Sequence, residues 1–313
     1  MASNQPTRAP TRAQWLRRLA SRKRDRVAFV FSGGGPLGAL QVGAVKALIE
    51  HGIKPDLVAG TSVGALNATF TAFDPSIEGA LRLEGIWRAL NDGEVFPGGR
   101  FKASWARMLV RGDKVFENSG IRRMIENRLG EDARFEDAQL PLCVVATDLE
   151  TGNEELFTSG RVLEPLLAST AMPGIFPPVT IKGRRFTDGG VSNNVPIAPA
   201  IAMGATTLYV MNSTSHSHQR RPLARPMDYL LHAFTLARSQ RLNIEHSLLG
   251  EKAKVIMLPS APLKFFVSFG SMEHTSTLIE LSYLHIKRFL EGGLAPEPDV
   301  ELSSEGGGAT EGL

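Results

Sequence analysis

Five residues, Gly60-Thr61-Ser62-Val63-Gly64, have the G-x-S-x-G spacing that lets a serine work as a nucleophile. Acyl transfer at a serine needs the hydroxyl lifted clear of its own backbone and N–H groups aimed where a carbonyl oxygen turns negative. The pentapeptide follows the apolar run Leu57-Val58-Ala59 and precedes the helix-forming Ala65-Leu66-Asn67, which predicts strand, sharp turn and helix in that order. In such an elbow Gly60 and Gly64 remove the side chains that would collide as the chain reverses, and Ser62 projects from the turn. The Val63 N–H opens the helix, whose dipole favours negative charge there. The same five residues also fit an ordinary Gly/Ser turn, so the pentapeptide alone does not decide.

A second glycine cluster, Ser32-Gly33-Gly34-Gly35-Pro36-Leu37-Gly38, lies upstream. Gly33-x-Gly35-x-x-Gly38 between a strand and a helix also satisfies the dinucleotide-binding fingerprint. That reading requires an acidic residue at the end of the next strand, about 20 residues on, to hold a ribose hydroxyl. Here the next strand ends in Gly60-Thr61-Ser62. The competing reading makes Gly33, Gly34 and Gly35 an oxyanion hole, with Gly34 and Gly35 as the preferred donors beside Val63. Two βα loops at the carboxyl ends of neighbouring parallel strands then supply donors and nucleophile to one crevice.

The elements that must position these loops follow from the apolar pattern. Arg26–Phe31 reads as a strand buried on both faces, the stretch to Glu50 as a helix through Leu40, Ala44, Ala47 and Leu48, and Ile53–Ala59 as the next strand of a right-handed βαβ unit. Residues 74–140 form a helical insertion. Asp74 is its expected N-cap with Pro75 at the first helical position, and further helices are expected over Phe101–Leu109 and Ile121–Leu129. Leu142–Thr147 is a buried strand, Glu154–Thr158 a short one, and Val162–Ser169 a helix. Ala171–Val179, with Pro173, Pro177 and Pro178, reads as a fixed loop. Arg184–Thr187 delivers Asp188-Gly189-Gly190. Thr206–Asn212 and Lys254–Leu258 are strands, the latter at an edge, while Pro226–Leu249 and Thr275–Leu290 are helical.

At 313 residues and 42% apolar composition the chain has ample core material. Its single cysteine, Cys143, excludes an intramolecular disulfide and suits strand packing. No apolar run approaches the ~20 residues that span a bilayer, and the N-terminus lacks the apolar segment of a signal peptide. A cytoplasmic protein is expected. Residues 1–26 carry eight basic side chains against Asp25, a balance of +7, so with a total of +3 the remainder carries −4. The division expected is therefore a basic arm over 1–25, a catalytic domain over 26–290 and an acidic tail over 291–313. The basic charge belongs to the arm, and nucleic-acid binding by the globular body is not implied. Trp15, Leu16 and Leu19 share one face of a short helical pattern in that arm, which fits either a peripheral membrane contact or a solvated tail. Phe265-Phe266-Val267-Ser268-Phe269, apolar where a connecting loop is ordinarily polar, fits either core burial or contact with a lipid surface. No cluster of His, Cys and carboxylates has metal-ligand spacing, and no cofactor is implied.

The motifs and their order resemble the patatin-like phospholipase family. The pieces that carry the resemblance are Gly33–Gly38, Gly60–Gly64, the block Ala168–Val179 and Asp188-Gly189-Gly190, with Val145–Leu149 and Asn194–Ile197 in support, over about Arg26 to Asn212. The resemblance implies a three-layer α/β/α fold with a mostly parallel central sheet and a lipid acyl hydrolase with a Ser-Asp dyad. By position it makes Ser62 the nucleophile, Asp188 the base and the glycine loop the oxyanion hole, with Gly38, Gly60, Gly64, Gly189 and Gly190 shaping the motifs. Many members carry a basic residue where this chain has Leu37, which leaves backbone N–H groups as the oxyanion donors.

From the residues alone Asp188-Gly189-Gly190 is also an ordinary turn. Two alternatives stay open. A Ser-His-Asp esterase would keep Asp188 as an orienting acid and use His216 or His218, in the chain order of α/β-hydrolases. A non-catalytic lipid-binding protein would keep the fold without the chemistry. The remaining histidines, His51, His232, His246, His274 and His285, sit on helical segments or their ends.

Overall fold

The computed structural model describes residues 25–95, 116–213, 252–263 and 271–293, together with Tyr229, residues 236–238 and 240–242, Phe265 and Val267. Residues 1–24, the helix expected over 101–109, most of the 226–249 pattern and the tail beyond Gly293 lie outside the described residues. So do His216, His218, Phe266, Ser268 and Phe269.

Among the described residues eight strands make one sheet: β1 (Val27–Phe31), β2 (Leu57–Thr61), β3 (Leu142–Asp148), β4 (Glu154–Phe157), β5 (Val179–Ile181), β6 (Arg184–Asp188), β7 (Thr207–Met211) and β8 (Lys254–Met257). Five of them, in the order β3-β2-β1-β7-β8, run parallel. The other three pair antiparallel at the β3 end. Side chains alternate across a strand, so a strand covered on both faces reads as a nearly continuous apolar run. Phe29, Phe31, Val58 and Val144 enter one core beneath the helices Gly38–Glu50, Val63–Phe73 and Leu163–Ser169. Their neighbours Ala28, Val30, Leu57, Ala59, Cys143 and Val145 enter a second core beneath the helix Ile197–Ala202 and Leu242. The result is a three-layer α/β/α fold. Burial pushes the Cys143 thiol up to about 12, so this side chain is packing material rather than a reactive thiol.

The register around β3 positions the site. Val145 pairs with Thr61 of β2 and Leu156 of β4, and Ala146 pairs with Glu155 of β4 and Asp188 of β6. A strand residue has one neighbour on each edge, so with β4 running along one edge, β2 and β6 must share the other. The strand that leads to Ser62 and the strand that ends in Asp188 therefore abut end to end along β3. Residues 126 apart in sequence meet by this register.

Three local expectations are corrected. The helix after the elbow domain begins at Ile77 with Ser76 as its N-cap, because the Ser76 hydroxyl accepts the Gly79 N–H. Asp74 instead accepts from the Ser76 N–H and hydroxyl and anchors the cap from outside the helix. The expected Ala171–Val179 loop yields at its end to β5, where Val179 pairs with Phe186. The strand expected over Thr206–Asn212 is shorter by one residue at each end.

Candidate active site

Ser62 stands between β2 and the Val63–Phe73 helix with φ 56 and ψ −129, a backbone conformation L-residues rarely adopt. Such geometry costs on the order of 1–3 kcal/mol and persists only where the surroundings impose it. Here they do. The Ser62 N–H donates to Ser169 Oγ at 2.8 Å, and that hydroxyl donates to the Val145 carbonyl at 2.6 Å. The Thr61 hydroxyl donates to the Asn193 carbonyl at 2.9 Å. A Cβ on Gly60 would strike the Gly64 carbonyl, and one on Gly64 would strike the carbonyls of Phe31 and Ser32. Only glycines let strand, turn and helix approach this closely.

Asp188 ends β6 beside this elbow. The Ser62 Oγ donates to Asp188 Oδ2 at 2.6 Å, and the Gly190 N–H donates to Oδ1 at 2.7 Å. The backbone of Asp188 is fixed as well, its carbonyl by the Thr147 hydroxyl at 2.8 Å and its N–H by the Ala171 carbonyl at 3.0 Å. Burial pushes the Asp188 carboxyl above the usual carboxylate range, against the lowering effects of the Ser62 hydroxyl, Arg238 and the Gly190 N–H. A raised carboxylate is a better proton acceptor than an exposed one.

The glycine loop borders the same cavity through Gly35 and Pro36. The Gly34, Gly35 and Val63 N–H groups make no hydrogen bond among the described residues, and Gly35 takes a left-handed turn at φ 56. The Gly33 N–H does not join them, because it donates to the Asn194 carbonyl at 3.1 Å. Gly33 thus ties the loop down, which leaves the N–H groups of Gly34, Gly35 and Val63, among the four residues the sequence suggested, without a partner among the described residues. A buried polar chain holds the loop from behind. Trp87 Nε1 donates to Asn67 Oδ1 at 2.8 Å, and Asn67 Nδ2 donates to the Gly38 carbonyl at 3.0 Å and to Gln41 Oε1 at 2.8 Å. Gln41 Nε2 donates to the Ser32 carbonyl at 2.7 Å. Every member is satisfied, the condition under which a buried polar network stiffens a structure instead of weakening it.

Ser62 and Asp188 lie at the head of a cavity of about 450 Å³. Its walls are mainly apolar, with Leu66, Phe70, Ile86, Leu90, Ile121, Met124 and Phe176, and Arg123, Asn127 and Arg128 add polar groups from the helix Ser119–Leu129. No described histidine lines it. A mainly apolar cavity bordered by a hydroxyl and a carboxylate in hydrogen-bond contact has the chemistry to seat an acyl chain beside a nucleophile. Phe265 and Val267 are half-buried against the cluster of Leu40, Trp87, Leu263 and Leu278, and the Phe265 ring lies 4.4 Å from the His274 ring.

The supports were less visible in the sequence than the reacting groups. Ser169 and Asn194 lie inside blocks that carry the resemblance but without a role assigned to them there, and nothing around Arg238 marks it.

Among the described residues no helix is long and apolar enough to cross a membrane, and no group of three or more His, Cys, Asp or Glu side chains could hold a metal ion. A family model described as patatin-like phospholipase matches residues 29–201. Lysophospholipase NTE1 of Eremothecium gossypii is 28% identical over 211 residues, which cover 65% of this chain and 12% of that protein. Patatin-like phospholipase domain-containing protein 7 of Rattus norvegicus is 28% identical over 199 residues, covering 59% and 13%. The chain thus matches about an eighth of the length of these curated relatives. Among solved structures, VipD from Legionella pneumophila aligns with a TM-score of 0.47 at 14% identity, over 86% of this chain and 67% of that one. The human GIVD cytosolic phospholipase A2 in complex with methyl gamma-linolenyl fluorophosphonate aligns with a TM-score of 0.43 at 11% identity, over 86% and 58%.

Proposed function

The chain belongs to the patatin-like phospholipase family, and from that premise we propose that it is a lipid acyl hydrolase working through an acyl-serine on Ser62 with Asp188 as its base. The observation that carries the reading is the 2.6 Å contact from Ser62 Oγ to Asp188 Oδ2 at the head of an apolar cavity. As Ser62 Oγ attacks the ester carbonyl carbon, its proton passes to Asp188 Oδ2. The carbonyl oxygen becomes the oxyanion and is held by the Gly34, Gly35 and Val63 N–H groups. Collapse breaks the bond to the alcohol, which leaves with the proton from Asp188. Water then attacks the acyl-serine, gives a proton to Asp188, and the fatty acid departs as Ser62 recovers its proton.

The cavity walls favour an acyl chain over a polar substrate, and the relatives' names make a lysophospholipid the first ester to try. The test is labelling by a fluorophosphonate, followed by turnover on a lysophospholipid, a diacyl phospholipid and a short soluble ester. Ser62→Ala should abolish labelling and turnover together, and Asp188→Asn should remove nearly all turnover. Failure of the wild-type protein to label would return the non-catalytic lipid-binding reading. Near wild-type turnover in Asp188→Asn, with loss in His216→Ala or His218→Ala, would return the triad.

A further inference from the structure

We infer that Arg238 is a positioning residue of this site: its guanidinium, locked to Asn194, sets the glycine loop against Ser62 and is the cation paired electrostatically with the Asp188 carboxylate. The inference rests on the Ser62–Asp188 reading above.

Arg238 reaches the site from a segment far along the chain and makes a specific contact there. Its Nη2 donates to Asn194 Oδ1 at 2.7 Å. Asn194 is in turn bound to the glycine loop at two atoms, its carbonyl accepting the Gly33 N–H at 3.1 Å and its Nδ2 donating to the Gly33 carbonyl at 3.4 Å. A Cβ on Gly190 would stand 3.1 Å from Arg238 Nη2, and one on Gly33 would stand 3.6 Å from it. The guanidinium therefore lies against both backbone segments that flank the reacting pair, and Gly190 is the residue whose N–H holds Asp188 Oδ1. At Gly190 a side chain would crowd the guanidinium, whereas at Gly33 it would strike Asn194 Oδ1, the atom that the guanidinium holds.

The charge matters because Asp188 is buried and the loop from Ser32 to Gly38 has no charged side chain. A carboxylate so placed loses hydration and needs a compensating charge to stay ionised. The surrounding groups are mostly committed elsewhere. Asp148 of β3 is paired with Arg184, and Glu154 of β4 accepts from Asn193 and Arg241. Arg123 and Arg128 line the cavity wall, and Ser62 supplies a hydroxyl rather than a charge. Burial pushes the Asp188 carboxyl up and the Arg238 guanidinium down, and each charge opposes the other's shift. Arginine suits the place, since it stays charged when partly buried and its planar fork can hold a carbonyl oxygen while remaining beside a carboxylate.

A merely structural role and this one differ in pH dependence. In the full chain, Arg238→Gln keeps a donor for Asn194 and removes the charge, whereas Arg238→Lys keeps the charge and removes the fork. For Arg238→Gln the acid limb of kcat/KM on a short soluble ester should move up by about one pH unit or more, with at least a tenfold loss of turnover at neutral pH. For Arg238→Lys turnover should fall with the limb unmoved. The Asp188 carboxyl resonance, assigned by its loss in Asp188→Asn, should titrate upward in Arg238→Gln whether or not any ester is hydrolysed, so the inference is read separately from the activity proposed. Melting of each variant separates misfolding from these effects. An unmoved limb and an unmoved Asp188 titration in folded Arg238→Gln would overturn the inference. Should Arg238→Gln fail to fold, a moved limb in Arg238→Lys would overturn it equally.

Discussion

The Ser62 N–H is bound to the Ser169 hydroxyl at 2.8 Å, and the same hydroxyl donates to the Val145 carbonyl at 2.6 Å, so one buried side chain bridges the elbow to the neighbouring strand. Ser169 thereby holds Ser62 at φ 56 without touching any atom that reacts. Ser169→Ala should leave a buried N–H and a buried carbonyl short of partners, at a cost of about 1–3 kcal/mol. Melting should drop by several degrees, and turnover per folded molecule should also fall as the elbow relaxes. Unchanged turnover at a lowered melting temperature would show that the strain is held by the Gly60–Gly64 packing alone.

Asp188 gives a pH prediction with two signs. Burial holds its folded carboxyl above the usual range even with Arg238 opposing the shift, so the ionised form that the proposed mechanism requires disfavours the fold. By linkage, a carboxyl raised on folding binds more protons in the native state. Stability is then gained as pH falls through the folded value and levels off below the ordinary carboxylate range. Activity runs the other way, lost on the acid side as the base protonates. Asp188→Asn should therefore abolish turnover yet melt at or above wild type at neutral pH, and the difference should vanish at low pH. A variant that melts well below wild type at neutral pH would contradict this.

The parts of the fold legible in the sequence are those where one local rule decides. β1 is apolar throughout, and β2 and β3 are apolar up to their carboxyl ends at Gly60-Thr61 and Thr147-Asp148, because both faces are covered, and the final helix matches its periodicity over Thr275–Leu290. The elbow was legible because Gly60 and Gly64 are forced by backbone contact. What could not be read depends on partners distant in sequence. Whether the Gly33 N–H is free depends on the Asn194 carbonyl 161 residues away, and Arg238 acquires meaning only through Asn194 and the space left at Gly190. The Ser76 cap was missed because Asp74 and Ser76 are both good capping types two residues apart, and their mutual hydrogen bond decides between them.

The Phe265–Phe269 segment divides between two readings, and Phe265 now discriminates them. Its ring is half-buried beside His274 and the Leu40, Trp87 and Leu278 cluster. Phe265→Ser should lower the melting temperature and reduce short-ester and vesicle hydrolysis in equal proportion, as the folded fraction falls. Unchanged melting with selective loss on vesicles would instead assign this ring to a lipid surface.

The last prediction concerns Gly34 and Ser213. Gly34 lies at φ 177, extended backbone open to any residue, so conformation alone does not require glycine there. Space does, because a Cβ on Gly34 would stand 2.8 Å from Ser213 Cβ at the end of β7. Gly34→Ala should consequently lose stability as well as turnover: the loop must retreat from Ser213, and the Gly34 and Gly35 N–H groups move with it. Misplacing one oxyanion donor typically costs about 10²–10³ in turnover. Ser213→Gly should relieve the contact, and it removes a hydroxyl that is buried with no hydrogen-bond partner among the described residues. The double variant Gly34→Ala/Ser213→Gly should thus recover much of both losses, a non-additivity expected only of residues in direct contact. Melting and short-ester turnover of the four proteins in this cycle are the measurement. Recovery of melting without turnover would mean that the new methyl group itself obstructs the carbonyl, and additive losses would show that Ser213 is not what the loop moves against.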